Sequence, residues 1–140
     1  MNKALLALLL LAISQAVHAG VTVANAWARA TVPGQDVGAA YMTLTSDKAA
    51  KLVGIKTSVA DSVEIHEMSM KNGVMKMRMK DILDLPAGTA VKLEPSGFHF
   101  MLFDLKKPLK AGENIELTLS IKDSQGKLNT QNVRVPVKAE

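Results

Sequence analysis

The 140 residues contain no cysteine. That single absence excludes disulfides, zinc–thiolate sites, haem attached through Cys-x-x-Cys-His, iron–sulfur clusters and thiol nucleophiles. Aromatic residues are scarce, with three Phe, one Tyr and one Trp, and no basic run is interleaved with them. The 17 Lys and Arg exceed the 13 Asp and Glu by only four charges, spread along the chain, so the footprint of a nucleic-acid-binding protein is lacking. No nucleophile elbow, phosphate-binding loop or carboxylate pair beside a histidine is present, which argues against an enzyme. With 48% hydrophobic and 21% charged residues the composition is globular, neither disordered nor collagen-like. Against these shortages stands one surplus: eight methionines.

The first nineteen residues read as a cleavable secretory signal. Lys3 supplies the positive start, residues 4–13 an apolar run, and Val17-His18-Ala19 a small-x-small cleavage site before Gly20. The run is too short to span a bilayer, and no later stretch is long enough. Residues 20–140 are then the exported protein, expected to be one domain, located in the periplasm and monomeric. They hold two histidines, His66 and His99, and 16 basic against 13 acidic side chains.

Short strands separated by turns fill this segment. Residues 21–29, 40–45, 52–57, 62–70, 74–80, 90–94, 98–105, 115–122 and 132–137 are β-branched-rich or alternate in polarity. Pro33-Gly34, Asn72-Gly73, Pro86-Ala87-Gly88, Pro95-Ser96-Gly97, Ala111-Gly112 and Gln125-Gly126 punctuate them. Nine strands in so short a chain predict an all-β protein, a two-sheet antiparallel sandwich or a Greek-key barrel. The one place for a helical turn is residues 81–85.

Asn72-Gly73 between two alternating runs predicts a two-residue type I′ hairpin, since that turn requires positive φ at both central residues. The register follows by arithmetic: Met70 faces Met75, Met68 faces Met77, Glu67 faces Arg78 and His66 faces Met79. Side chains alternate along a strand, so His66, Met68, Met70, Met75, Met77 and Met79 share one face. Glu67, Ser69, Lys76 and Arg78 share the other, with Glu67 and Arg78 as a favourable cross-strand pair. Core packing is the plain explanation of a methionine face, because the flexible thioether fills irregular gaps. Yet branched aliphatics would specify such a core better. Further along, His99 and Met101 in Gly97-Phe98-His99-Phe100-Met101 also point to one face. Both histidines therefore stand beside methionine. Trp27 and Tyr41 read as core aromatics.

Imidazole and thioether donors without thiolate or carboxylate favour copper, above all Cu(I). Calcium and magnesium want oxygen ligands, and structural zinc draws on Cys, His, Asp or Glu. The set of His66, Met77, His99 and Met101, with ten, twenty-one and one intervening residues, resembles the metal motif of the periplasmic copper chaperone PCuAC family. So do Ala26-Trp27-Ala28-Arg29-Ala30-Thr31, residues 38–44, Glu64-Ile65-His66-Glu67-Met68, and residues 98–102 followed by Leu105-Lys106-Lys107-Pro108-Leu109. The resemblance covers essentially all of residues 20–140. It implies a cupredoxin-like Greek-key β-sandwich that binds one Cu(I) through His66, Met77, His99 and Met101. It also implies delivery to a copper-accepting protein such as the binuclear copper centre of cytochrome c oxidase, alongside a thiol-bearing copper chaperone. Met68, Met75 and Met79 are alternatives to Met77. Storage or detoxification of copper, or a metal-free sandwich with a methionine-rich core, are the rival readings.

Overall fold

The computed structural model describes residues 20–139; the secretory signal read at residues 1–19 lies outside them. Ten strands follow in chain order: β1 (Val21–Arg29), β2 (Val37–Ser46), β3 (Ala50–Thr57), β4 (Ala60–Lys71), β5 (Val74–Lys80), β6 (Leu83–Leu85), β7 (Ala90–Leu93), β8 (Phe98–Leu105), β9 (Asn114–Lys122) and β10 (Leu128–Lys138). Among the described residues there is no helix. The hydrogen-bonded order is β5-β4-β8-β7-β2-β1-β10-β9-β3-β6. Strands β1 to β8 without β3 and β6 form one sheet, and β10, β9, β3 and β6 the other. A short parallel pairing of Ala28 and Arg29 with Val137 and Lys138 joins the two. The result is a cupredoxin-like β-sandwich.

Alternation explains why these segments pack as they do. Along β9, Ile115, Leu117, Leu119 and Ile121 are buried, while Glu116 and Lys122 face water. The inward residues of the first sheet, among them Ala40, Met42, Leu44, Phe100 and Leu102, close on Leu52, Leu117, Leu119 and Val135 of the second. Burial of such side chains is worth ~1.5–3 kcal/mol each, enough to hold two sheets face to face.

Residues 81–85 do not form a helical turn. Leu83 and Leu85 are buried on either side of the exposed Asp84, and β6 pairs with β3 through Ala50 and Leu52. Three residues are too few to display a period, so the alternation was hidden by shortness rather than by unsuitable residues.

One irregularity in β1 places several side chains. Between Ala24, paired with Thr43, and Trp27, paired with Tyr41, the strand gains one residue over its neighbour. Asn25 takes a positive φ of 54° at this bulge, a conformation Asn tolerates better than most residues. Before the bulge the odd-numbered Val21 and Val23 pack on the core; after it the even-numbered Ala26 and Ala28 do. Trp27 and Arg29 consequently turn to the outer face of the sheet.

Candidate metal centre

The hairpin has the predicted register. His66 pairs with Met79, Glu67 with Arg78, Met68 with Met77 and Met70 with Met75. Asn72 and Gly73 take φ of 53° and 73°, as a type I′ turn requires. The cross-strand charge pairing differs from expectation: the Glu67 carboxylate lies 3.8 Å from the Lys80 ammonium, the diagonal neighbour on the same face. Lys80 also lies 5.6 Å over the Phe98 ring, which draws it toward β8.

The methionine face is not core. Met70, Met75, Met77 and Met79 are 68%, 55%, 50% and 52% exposed. Thioethers held in water by both strands of a hairpin gain little from burial, which removes the packing explanation of their number.

Strand β8 lies directly against β4, so the candidate donors sit on three adjacent strands of one sheet. His66 is paired with His99 and Glu64 with Met101. The two imidazoles are 5.6 Å apart between ring centroids. Met77, His99 and Met101 line one groove of about 390 Å³, together with Met68 and Tyr41. His66 is not part of that wall; it adjoins it through His99, with its side chain 12% exposed. Met79 lines a separate hollow with Gly54, Val63 and Glu64, and Met70 and Met75 stand nearest the turn.

Hydrogen bonds fix which nitrogen of each ring is free. The Nε2–H of His66 donates to Glu64 Oε2 at 2.8 Å. The His66 Nδ1 is buried with no hydrogen-bond partner. The Nδ1–H of His99 donates to the Gly97 carbonyl at 3.4 Å, which leaves its Nε2 as the basic atom. Burial, above all, holds the His99 pKa below the usual 6.5; the Gly97 hydrogen bond raises it and the neighbouring His66 lowers it further. A neutral ring is the form a metal requires. Glu64 escaped the sequence reading, which used Glu67 alone of the two, as the partner of Arg78. Two-residue spacing on a strand was the available signal, because it puts Glu64 on the face of His66.

Tyr41 is buried, as expected, at 5% exposure, and Trp27 is half-buried, but neither joins the core between the sheets. They belong to the outer face, where ring centroids run from Trp27 to Tyr41 at 4.8 Å and from Tyr41 to His99 at 6.4 Å. The Arg29 guanidinium lies 5.9 Å from both aromatic centroids, close enough for a cation–π attraction that braces the row. The β1 bulge is what turns Trp27 to this face.

Among the described residues no group of three or more His, Cys, Asp and Glu is placed to hold a metal ion. What the outer face does bring together is imidazole and thioether, both candidate donors for a soft cation. That combination defines the class, a small sandwich with a site suited to a soft cation. The family described as "Putative lipoprotein LpqE-like" matches residues 21–137, and the chain belongs to it. It is 38% identical over 120 residues to "Putative lipoprotein Lxx21020" of Leifsonia xyli, covering 85% of this chain and 70% of that one. Among solved structures, the Cu(I) form of DR1885 from Deinococcus radiodurans is 36% identical with a TM-score of 0.66, covering 91% and 84% of the two chains. The copper-bound PCuAC domain of PmoF2 is 25% identical with a TM-score of 0.70, covering 88% and 97%. The family description speaks of lipoproteins; these 140 residues contain no cysteine, so no thiol among them can carry a lipid.

Proposed function

We propose that this protein is a copper carrier of the periplasm that binds one Cu(I) through His66, Met77, His99 and Met101 and passes it to an acceptor by ligand exchange. The observation that carries the reading is the His66 Nδ1, buried without a partner beside a second imidazole and a thioether-lined groove. A buried polar atom without a hydrogen bond costs about 1–3 kcal/mol, and a soft cation would satisfy it. The copper-loaded relatives support copper as that cation. Met77 is favoured over Met79 because it shares the groove of His99 and Met101, whereas Met79 faces the other hollow. Met68, in the same groove, is the reserve thioether.

In this mechanism the protein's residues hold and orient. Glu64 occupies the Nε2–H of His66 and leaves Nδ1 as its donor atom, and the Gly97 carbonyl occupies the Nδ1–H of His99 and leaves Nε2. Support of this kind commonly sets the affinity of a metal-bound histidine. Neutral donors leave the ion its charge, and exposed thioethers can release one bond at a time as the acceptor supplies another. The resemblance of the motif to copper chaperones supports a copper centre of cytochrome c oxidase as acceptor and a thiol-bearing chaperone as second partner. Delivery is preferred to storage because the site provides for one ion.

Anaerobic titration with Cu(I) against a chromophoric chelator tests the proposal, with His66→Ala and Met101→Ala beside the wild type. One equivalent bound tightly, and weakened by each substitution by more than the ~10–100-fold typical of a lost supporting contact, is the expected result. Absence of binding by the wild type would overturn it.

A further inference from the structure

The hairpin has a second asset besides its thioethers, and it lies at the border of the sheet. Among the described residues, strand β5 ends the strand order and has β4 as its one neighbour. Its residues from Val74 to Met79 are exposed on both faces. The backbone groups at this border can be assigned. The Met68 N–H donates at 3.1 Å to the Gly97 carbonyl, away from β5, so Met68 and its partner Met77 form a non-hydrogen-bonded pair. The backbone groups of Met77, and by alternation those of Met75 and Met79, therefore point outward to the unpaired edge.

That edge is patterned. One face carries Met75, Met77 and Met79; the other carries Lys76, Arg78 and Lys80, with Lys71 and Glu67 across the hairpin and the Glu67 carboxylate 3.8 Å from Lys80, which leaves cations in excess. A strand added here would place its own alternate residues against each face. A second copy of this chain is a poor occupant: joined antiparallel about Met77 with the methionine faces aligned, it would set Lys76 opposite Arg78, cation against cation. Like charges directly opposite destabilise a strand pair.

We infer that the β5 edge is a docking site for an extended segment of a partner protein whose alternate residues are acidic, the residues between them being apolar or soft metal donors. The acidic side chains pair with Lys76 and Arg78, and the others lie beside Met75, Met77 and Met79. This deepens the copper reading, because it sets a partner's donor next to Met77; the backbone and charge parts stand independently of it.

The probe is a blocked decapeptide alternating Glu with Met, with a second in which Lys replaces Glu. Binding to the metal-free protein is followed by fluorescence anisotropy, and the docking strand is located by amide chemical shifts. The expected result is saturable binding of the Glu peptide with shifts centred on Met75, Met77 and Met79. Binding should fall at least tenfold in the double variant Lys76→Glu/Arg78→Glu and in Met75→Pro, which removes an outward N–H. Salt should weaken it, as screening of exposed charges requires. Equal binding of the Lys peptide, or binding unchanged in the double variant, would overturn the inference. So would a double variant whose sole effect is self-association, since the cations would then merely guard the edge. Peptide docking with no Cu(I) binding by the wild type would sink the copper reading and leave this one standing; Cu(I) binding without docking would do the reverse.

Discussion

Strands β5 and β9 share a sequence pattern and little else. Both alternate strictly, β9 between branched aliphatics and polar residues, β5 between methionine and cations. In β9 the alternation becomes burial, with Leu117 and Leu119 fully enclosed. In β5 it becomes two wet faces. Period two announces a strand; it does not announce which face is dry. Place in the sheet does that here: β9 packs on the opposite sheet, whereas β5 is the border strand, and the fully enclosed Met42 of β2 shows that methionine by itself does not mark a wet face.

The strongest way to break this contrast is to truncate one residue on each strand. Leu117→Ala should destabilise the protein by about 2–5 kcal/mol, the usual range for a fully buried leucine, as read by urea denaturation. Met77→Ala, on the surface, should stay within about 0.5 kcal/mol of wild type while weakening Cu(I) binding. Equal stability losses would mean that β5 is structural after all.

A smaller effect is expected from the side chain behind the site. Glu64→Gln keeps the shape but removes the carboxylate that accepts from His66 Nε2–H. Cu(I) affinity should drop roughly 10–100-fold, with stability and circular dichroism retained. Affinity equal to wild type would show that the Glu64 carboxylate does not set the ligand strength of His66.

The smallest effect concerns acid. The pKa of His99 is held below 6.5, chiefly by burial, so the unfolded chain takes up this proton before the folded one. Stability of the metal-free protein should therefore be independent of this group above pH 6.5, and decline as pH falls from there through the lowered folded value. His99→Gln should lose that component of the slope in pH-dependent denaturation. A slope unchanged by the substitution would assign the acid sensitivity elsewhere.

Much of the geometry of the candidate site was legible in the sequence, for definite reasons. Asn72-Gly73 fixed a turn, the turn fixed a register, and the register put His66 and the methionines on one face. Strand parity likewise joined His99 to Met101. The strand pairing of β4 with β8, which sets His66 against His99, is a long-range choice that no local pattern in either segment encodes. The outward turn of Trp27 was not legible either, because Asn25 adds one residue without altering the polarity pattern that follows. Glu64 was legible by the parity rule already applied to its neighbours.

The β1 bulge works like a shift of reading frame. Every side chain downstream of Asn25 in that strand exchanges inside for outside, so Trp27 and Arg29 reach the outer face that carries His99 while Ala26 and Ala28 serve the interior. A guanidinium in the interior would be among the costliest errors the sandwich could contain. The aromatic wall beside His99 is thus owed to the count of residues before it as much as to their kinds. In this part of the chain, substitutions adjust the wall, whereas the gain or loss of one residue decides whether the wall exists.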